Sequence, residues 1–346
     1  MRLLDPAALP ERFDDVAALE DFLSLPTQAL VDDLERVPGD ILILGVGGKM
    51  GPTLARLARA GAPARRIIGV ARFTETGLAE RLQACGIETI PCDLLDRDAL
   101  RALPSAPNVV FMAGRKFGSS GNTPLTWAMN ATVPALVAER YAAARIVAFS
   151  TGNVYPLTPV LLQGPTESTP PAPVGEYAMS CLGRERAFEY ASAQHATPGR
   201  IVRLNYAIDC RYGVLFDIAS KVAAGQPVDV AMGHVNVIWQ GDANAQALRC
   251  LAHCTTPTAV LNVSGPETLS VRGLAAECGR RLARPPDIVG QEAPDALLTN
   301  STEAARLFGY PMVPLGRMLD WVADWVARAM PDLGKPSKFE VRSGRF

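Results

Sequence analysis

The chain has 346 residues, of which 48% are hydrophobic, so it is long enough and apolar enough to form two lobes around a large core. Its 34 basic and 35 acidic side chains give a formal charge of −1, which leaves no electrostatic case for a nucleic-acid surface or for binding an anionic membrane. The seven cysteines are odd in number and scattered, and neither a signal-peptide pattern nor a membrane-length apolar stretch is evident. We therefore expect a cytoplasmic protein that acts on a small molecule.

Residues 1–38 precede the first apolar strand and are predicted to form a helical extension. Apolar residues recur at helical spacing over 16–23 and 28–34, with a break at Pro26 and with Thr27 available as an N-cap. No chemistry is evident there. We expect the extension to cover a flank of a sheet or to make a subunit contact.

The run from Ile41 to Gly51 predicts a nucleotide-phosphate site. An apolar strand over 41–44 leads into glycines at 45, 48 and 51 and then into a helix. Glycine allows a tight turn and a close approach of the backbone to a pyrophosphate, and the first N–H groups of the next helix point at the anion. A strand-to-helix turn with a purely structural purpose would also use glycines.

The next segments have the lengths of a βαβ unit, with a helix over 52–60, a strand over 65–70, a helix over 78–84 and a strand over 88–90. The second strand leads into Ala71 and Arg72, where an NAD site usually carries an acidic residue for the ribose hydroxyls. Arg72 could pair with the 2′-phosphate of NADP, with Lys49 as a second cation, so NADP(H) is favoured over NAD(H). The alternative is that Arg72 is a solvated residue at a strand end.

Three later stretches carry a family resemblance. A fourth strand over 108–114 ends in small residues, a fifth strand runs into Thr151 and Tyr155, and Tyr177 begins a helix within 174–188. In this order, and with the glycine loop, they resemble the extended short-chain dehydrogenase/reductases, the NAD(P)-dependent epimerase/dehydratase family, from about residue 39 to about residue 327. The resemblance implies an α/β fold: a Rossmann-type doubly wound parallel sheet with a smaller C-terminal substrate-binding lobe.

The resemblance also implies boundaries and cofactor contacts. The NAD(P)-binding domain spans 39–205, its sheet is completed by strands near 236–240 and 260–263, the substrate-binding lobe takes up most of 206–330, and a mobile or partner-bound tail covers 331–346. Asn130 stands where the family has a structural Asn. The expected cofactor-binding residues are Gly45, Gly47, Gly48, Lys49, Met50, Gly51, Arg72, Asp93, Leu94, Ala113, Gly114, Tyr177 and Asn205.

By the same alignment, Thr151 and Tyr177 take the places of the family's catalytic Ser/Thr and Tyr. A tyrosine can remove the proton of a substrate hydroxyl as hydride leaves, and the Ser/Thr hydroxyl holds the developing oxyanion. The ordinary tyrosine pKa of ~10 is too high for a base at neutral pH unless a cation lowers it. In the family that cation is a lysine four residues on, whereas this chain has Cys181 there.

Three hypotheses follow from Cys181. In the first, Arg184 on the same helical face substitutes for the lysine in an active dehydrogenase or epimerase. In the second, Cys181 itself carries a proton or acts as a nucleophile. In the third, hydride transfer has been lost and the protein is an NAD(P)-binding sensor or regulatory protein. The first is favoured.

Substrate contacts are expected at the carboxyl ends of the strands, the crevice side of an open parallel sheet. Arg115 and Lys116, with the flexible loop 118–122, would suit a carboxylate or phosphate unless they are ordinary solvated charges. Further candidates are Asn153, Asn205 and Arg211. Because Gly152 and Asn153 stand where family dehydratases carry acidic residues, oxidation or epimerisation at a hydroxyl of a sugar, sugar acid or related polyol is favoured over water elimination.

Two expectations concern partners and metals. Family members commonly dimerise through two helices beside the active site, here about 124–144 and 176–194, so a homodimer is expected. Cys250, His253 and Cys254 are close in sequence, but no second ligand pair follows at zinc-site spacing. We expect these three residues in the core or at a helix end, and no metal.

Overall fold

A computed structural model describes residues 2–116, 118 and 121–344. At its centre is a seven-stranded sheet with the spatial order β7-β6-β5-β4-β1-β2-β3, and every neighbouring pair is parallel. The strands are β1 (Ile41–Leu44), β2 (Ile67–Ala71), β3 (Glu88–Pro91), β4 (Asn108–Phe111), β5 (Arg145–Thr151), β6 (Gly199–Leu204) and β7 (Ala259–Val263). The predicted Rossmann-type parallel sheet is confirmed.

Helices cover the sheet and build the second lobe. They are α1 (Val16–Leu23), α2 (Gln28–Glu35), α3 (Gly51–Gly61), α4 (Leu78–Ala84), α5 (Arg97–Ala102), α6 (Thr123–Trp127), α7 (Val133–Arg140), α8 (Glu176–His195), α9 (Val214–Ala224), α10 (Gln240–Arg249), α11 (Val271–Arg281), α12 (Thr302–Phe308) and α13 (Leu315–Ala327). A π-helical turn, Ala128–Thr132, joins α6 to α7. Such turns interrupt α-helices most often at functional sites.

The strand order determines where a ligand site lies. All four residues of β1 and of β4 are buried, as expected for strands covered by helices on both faces. The chain moves outward from β1 to β3 and then returns to β4 on the other side of β1. Loops after β1 and β4 therefore leave in opposite directions and open a crevice at their carboxyl ends, the usual ligand position in an open α/β sheet.

The second lobe has its own core, and one predicted strand belongs to it. Of the strand expected near 236–240, Ile238 and Trp239 pair in parallel with Ala207 and Ile208 in a separate two-stranded sheet, and they do not join the seven-stranded sheet. Trp239 is fully buried against Trp321 and packs in the core of the second lobe. The apolar run forms a strand, as the sequence predicts, but this strand pairs with residues 207–208 and not with the central sheet.

The N-terminal extension joins the two lobes. Thr27 caps α2 by accepting a hydrogen bond from the Leu30 amide at 3.2 Å, as its sequence predicts. Leu30 and Leu34 of α2 pack in the core beside the sheet, whereas Phe13 and Phe22 pack in the core of the second lobe. The extension therefore covers a flank of the sheet and also contacts the substrate-binding lobe.

Residues 331–344, called the strap below, run across the crevice. The Ser337 backbone amide donates to Asp217 at 2.8 Å, Glu340 pairs with Lys221, and Arg342 pairs with Asp295. Phe339 is 1% exposed and lies in the core of the second lobe. The sequence predicted a mobile or partner-bound tail, but this segment is packed against its own chain because a buried aromatic residue and ion pairs anchor it.

Candidate active site

The glycine loop, residues 45–51, has two positions that require glycine. Gly45 has a φ of +93°, and a Cβ there would lie 2.5 Å from the Ala113 backbone nitrogen. A Cβ at Gly51 would lie 2.2 Å from the Val46 carbonyl oxygen. At Gly48 a Cβ would make only an ordinary contact, 3.5 Å from the Gly45 carbonyl oxygen. The loop is therefore closed by the first and last glycines of the motif, and the middle one leaves room above the backbone.

A groove of about 460 Å³, called the nucleotide groove below, begins at this loop. Helix α3 starts at Gly51, whose amide donates to the Gly48 carbonyl at 3.2 Å, and the next residue, Pro52, has no amide hydrogen. The glycine loop, and not the start of the helix, therefore forms this end of the groove. The groove is lined by nine of the residues expected to bind the cofactor: Gly45, Gly47, Gly48, Lys49, Arg72, Asp93, Leu94, Ala113 and Gly114. Lys335 of the strap also lines it. The glycine cradle and the flanking cations fit a dinucleotide.

A second space, called the inner cavity below, has a volume of about 170 Å³ and adjoins the groove. Lys49 and Lys116 line both spaces. Of the other predicted site residues, Met50, Thr151, Asn153, Tyr177 and Asn205 line the inner cavity. Three further residues line the cavity without having been predicted from the sequence: Tyr206, Tyr212 and Ser337. The strap gave no motif that could have identified Ser337.

Thr151 and Tyr177 meet in the cavity wall, as the alignment implied. The Thr151 side chain lowers the pKa of Tyr177, so the two side chains are neighbours. The Thr151 hydroxyl accepts a bond from the Asn153 side-chain amide at 2.9 Å. Because Asn153 is the donor there, the single proton of the Thr151 hydroxyl can point into the cavity. The pair is thus arranged to act on one substrate oxygen.

Cys181 lies next to Tyr177 in the space where the resemblance implies a lysine. The thiol is fully buried, and its proximity raises the pKa of Tyr177. Burial raises the pKa of the Cys181 thiol, which opposes the thiolate that a nucleophile or proton carrier needs. Burial also raises the pKa of Tyr177 far above its ordinary value. Helix α8 therefore provides no group at position 181 that would help Tyr177 to act as a base.

Arg184 lies behind the cavity wall and does not line the cavity. It is 6% exposed, and its guanidinium donates to the Phe149 carbonyl oxygen at 2.7 Å and to Asn130 Oδ1 at 2.9 Å. Its charge lowers the pKa of Tyr177, but burial outweighs that effect. Because a guanidinium stays protonated, Arg184 cannot relay a proton.

Asn130, in the π-helical turn, connects the loop after β4 to helix α8. Its side chain accepts from the Arg115 amide at 2.7 Å and donates to the Arg115 carbonyl at 2.9 Å. It also donates to the Ser180 hydroxyl at 2.9 Å, and that hydroxyl donates to the Tyr177 carbonyl at 2.8 Å. One buried amide therefore holds both the backbone just before Lys116 and the first turn that carries Tyr177.

The two cavity lysines are held in unusual environments. Lys49 donates to the Ala207 carbonyl at 3.1 Å and lies 3.6 Å from the centre of the Tyr212 ring, and burial lowers its pKa to about 7. Burial lowers the pKa of Lys116 to about 8. Groups with pKa values this close to neutrality can gain and lose protons at physiological pH.

The remaining predicted substrate residues have different positions. Asn205 is 2% exposed at the cavity wall, and its Nδ2 has no hydrogen-bond partner within the described residues, as expected of a group that waits for a ligand. Arg211 is buried and pairs with Asp209 and Glu20 away from the cavity, because two carboxylates compensate its charge there. Arg115 donates to the Gly118 carbonyl and lines neither space. Residues 119 and 120 of the predicted loop lie outside the described residues.

The described part of the chain contains no group of three or more His, Cys, Asp or Glu side chains placed to hold a metal ion. Cys250 and His253 lie in the short helix after α10, where the Cys254 thiol donates to the Cys250 carbonyl. None of the described helices is both long enough and apolar enough to cross a membrane.

Comparisons with known proteins agree with this geometry. Residues 41–232 match the model of the NAD dependent epimerase/dehydratase family. No curated protein sequence matches the chain. Among solved structures, the chain is similar to the UDP-glucose 4-epimerase of Thermus thermophilus in complex with NAD, with 16% identity, a TM-score of 0.71, and coverage of 84% of this chain and 100% of that one.

Two further structures give the same result. The UDP-glucuronic acid 4-epimerase of Bacillus cereus, solved with UDP-glucuronic acid and NAD, has 16% identity and a TM-score of 0.69 over 84% of this chain and 99% of that one. The UDP-glucose 4-epimerase of Thermotoga maritima, solved with UDP-glucose, has 14% identity and a TM-score of 0.69 over the same shares, 84% and 99%. At such identities the matches establish a shared fold.

Proposed function

The chain belongs to the NAD-dependent epimerase/dehydratase family, and from that premise we propose that it oxidises or epimerises a hydroxyl of a small sugar acid or related polyol with NADP(H) or NAD(H). The observation that carries the proposal is that Thr151 and Tyr177 lie together in the wall of a cavity that adjoins the nucleotide groove. A bound nicotinamide ring supplies the hydride acceptor and donor.

The chain's own residues divide the remaining work. The glycine loop holds the pyrophosphate, while Asn205 offers its unpartnered amide to a ligand oxygen. Tyr177 takes the proton of the substrate hydroxyl while its carbon loses hydride, and Thr151 donates to the same oxygen. In the reverse direction Tyr177 returns the proton. An epimerase would add a rotation of the ketone between the two directions.

The size and charge of the inner cavity support a small anionic substrate. Its volume of about 170 Å³ is below the ~300–1,000 Å³ typical of sites for drug-sized ligands. The matched 4-epimerases are named for nucleotide-linked sugars, whereas this cavity suits an unlinked one. Lys49 and Lys116 line it and give it a positive potential, which favours an anion over a neutral sugar. Gly152 and Asn153, in place of acidic residues, support oxidation over water elimination.

We also propose NADP(H) over NAD(H), because Arg72 and Lys335 line the groove and Ala71 brings no negative charge near a ribose 2′-phosphate.

A homodimer is supported by exposed apolar side chains on α8, where Met179 is 45% and Tyr190 is 69% exposed. Light scattering at micromolar concentration would measure the assembly. The seven cysteines are free thiols, which supports a cytoplasmic location.

The test is a panel of sugar acids, aldoses and polyols assayed with NADP⁺ and NAD⁺ by absorbance at the reduced nicotinamide band. We expect at least one sugar acid to be oxidised, and we expect Tyr177→Phe to lower kcat by about 100- to 10,000-fold with dinucleotide affinity nearly unchanged. Tyr212→Phe, which removes another cavity hydroxyl, is the matched control. Tight dinucleotide binding without turnover of any panel member would instead favour the sensor hypothesis.

A further inference from the structure

The site lacks a cation at the position from which the resemblance expects one. Position 181 on α8 is a cysteine whose thiol is buried and neutral. The Arg184 guanidinium donates its hydrogen bonds to Phe149 and Asn130 behind the cavity wall. A phenol whose pKa is raised by burial needs a positive charge nearby to work as a base. The chain therefore needs another source for that charge, or it cannot perform the proposed reaction.

Lys116 is placed to provide it. Its ammonium lies 5.9 Å from the centre of the Tyr177 ring and lines the inner cavity beside that residue. Its charge lowers the pKa of the Cys181 thiol, so it is close to the space that the absent lysine would occupy. A cation near a phenol ring favours the phenolate electrostatically.

Two independent restraints hold Lys116 there. Asn130 clamps the backbone amide and carbonyl of the preceding residue, Arg115, and ties them to the first turn of α8. On the other side, the Lys116 ammonium donates to the Ser337 carbonyl of the strap at 3.4 Å. Ser337 is 1% exposed and is itself fixed by Asp217. The lysine is thus held between the loop after β4 and the strap.

Lys49, the other lysine of the cavity, is placed for a different task. It belongs to the glycine loop, donates to the Ala207 carbonyl and stacks on Tyr212. This position favours a phosphate contact in the groove. The two lysines therefore offer a matched comparison within one cavity.

We propose that Lys116, held by the strap, supplies the positive charge that lets Tyr177 work as an acid and base, in place of the lysine that α8 lacks at position 181. Lys116 acts through Tyr177 and is a positioning residue. The inference rests on the proposed function, because it concerns the group that removes the substrate proton. It differs from the hypothesis that Arg184 substitutes, and it assigns to the strap a part in the active site.

The first arm of the test needs neither substrate nor cofactor. The chain has five lysines, so ¹³C labelling at the lysine Cε gives a spectrum simple enough to titrate. Lys116 faces Cys181 on α8, Asp217 on α9, Lys338 on the strap and Lys49 on the glycine loop. We expect its signal to titrate at a pH of about 8. In Cys181→Lys the added like charge should lower that midpoint by about one unit or more.

Lys221, which pairs with Glu340 outside the cavity, is the internal control in the same spectra. A Lys116 midpoint that stays within about 0.2 units in a folded Cys181→Lys variant would place Lys116 too far from position 181, and it would overturn the inference.

The second arm uses a substrate from the panel and also covers the case in which Cys181→Lys fails to fold. We expect Lys116→Met to lower kcat by about 100-fold with KM and dinucleotide Kd changed less than about threefold. Lys116→Arg, which keeps a charge, should retain about a tenth of the activity or more. In the Lys116→Met background, Cys181→Lys should restore activity at least about tenfold, but it should not rescue Lys49→Met.

The outcomes separate the two proposals. A rise in KM with kcat unchanged in Lys116→Met would mean that Lys116 binds substrate, and it would overturn the inference while leaving the proposed function intact. The same holds if Lys116→Met is fully active. A panel without turnover contradicts the proposed function, and in that case the lysine titration still decides whether Lys116 lies beside position 181.

Discussion

The nucleotide groove and the inner cavity are neighbours built in opposite ways. The groove takes most of its wall from short continuous pieces after β1, β2, β3 and β4. The cavity is assembled from the glycine loop, the loop after β4, the end of β5, the start of α8, residues 204–213 and the strap. A local motif can specify the first region, whereas the second depends on long-range packing.

The two regions also differ in energetic cost. Away from the cavity, the groove is formed by glycine, backbone groups and the exposed Arg72, and none of these is a buried charge, whereas Lys49 and Lys116 lie where the two spaces meet. The cavity holds these two lysines, and burial lowers the pKa of both. Their charged forms therefore reduce the stability of the folded protein. The comparison indicates that cofactor binding relies on backbone geometry and that the proposed proton transfer relies on costly side chains.

The largest effect on dinucleotide binding is expected from a substitution that alters the backbone of the groove at one position. Gly45→Ala forces a residue with a side chain to keep a φ of +93° and brings a Cβ to 2.5 Å from the Ala113 nitrogen. Strain of about 1–3 kcal/mol, if it reshapes the loop, should weaken dinucleotide binding by roughly 10- to 100-fold. Fluorescence titration with NADPH measures this loss.

Gly48→Ala is the matched control, because its Cβ would make an ordinary contact at 3.5 Å. We expect a change in Kd of no more than about threefold there. Equal losses in both variants, or none in either, would show that the first glycine does not shape the groove through its backbone.

A second experiment measures how much the burial of a charged lysine in the cavity lowers the stability of the protein. The ordinary lysine pKa of 10.5 falls to about 8 for Lys116 in the folded protein. Between these two pH values the unfolded chain binds more protons than the folded one, so this group makes stability increase as pH rises. Below pH 8 its full cost is present. Lys116→Met should therefore stabilise the protein by about 1–3 kcal/mol at pH 7, and the gain should fade towards pH 10.

Urea unfolding at pH 7, 8.5 and 10 measures this gain. Lys221→Met removes a lysine from a partly exposed ion pair, and it should change stability by about 0–1 kcal/mol. A destabilised Lys116→Met variant at pH 7 would mean that its contacts in the cavity outweigh the cost of its burial.

The smallest effect is expected at the outer end of the groove. Arg72 is exposed where it lines the groove, so its pairing with a ribose 2′-phosphate is partly screened by water. Arg72→Ala should weaken NADPH binding by about five- to tenfold and leave NADH binding nearly unchanged. Parallel titrations with both cofactors give the ratio. Equal weakening of both would contradict NADP selectivity by this residue.

The difference between the regions also explains what the sequence could predict. The glycine loop, Arg72 and Asp93 follow strands directly, so pattern and order along the chain predicted their places in the groove. Thr151 and Tyr177 were predicted through the family resemblance, and the structure brings them together. These residues lie on elements whose positions the parallel sheet determines.

The other residues depend on contacts that no local pattern reports. Arg211 follows the sheet as a substrate contact would, but Asp209, two residues before it, and Glu20, from the N-terminal extension, hold it elsewhere. Ser337 reaches the cavity because Phe339 and Glu340 anchor the strap in the second lobe. The positions of Arg211 and Ser337 therefore depend on contacts with residues that are far away in the sequence.

Glu20 of the N-terminal extension has a mechanical consequence. One of its carboxylate oxygens pairs with Arg56 on α3, behind the glycine loop, and the other pairs with Arg211 in the second lobe. The aromatic rings of Phe13 and Phe22 add contacts with Trp321 in that lobe. A hinge motion that widened the crevice would have to break these contacts together. The N-terminal extension therefore opposes a change in the angle between the two lobes.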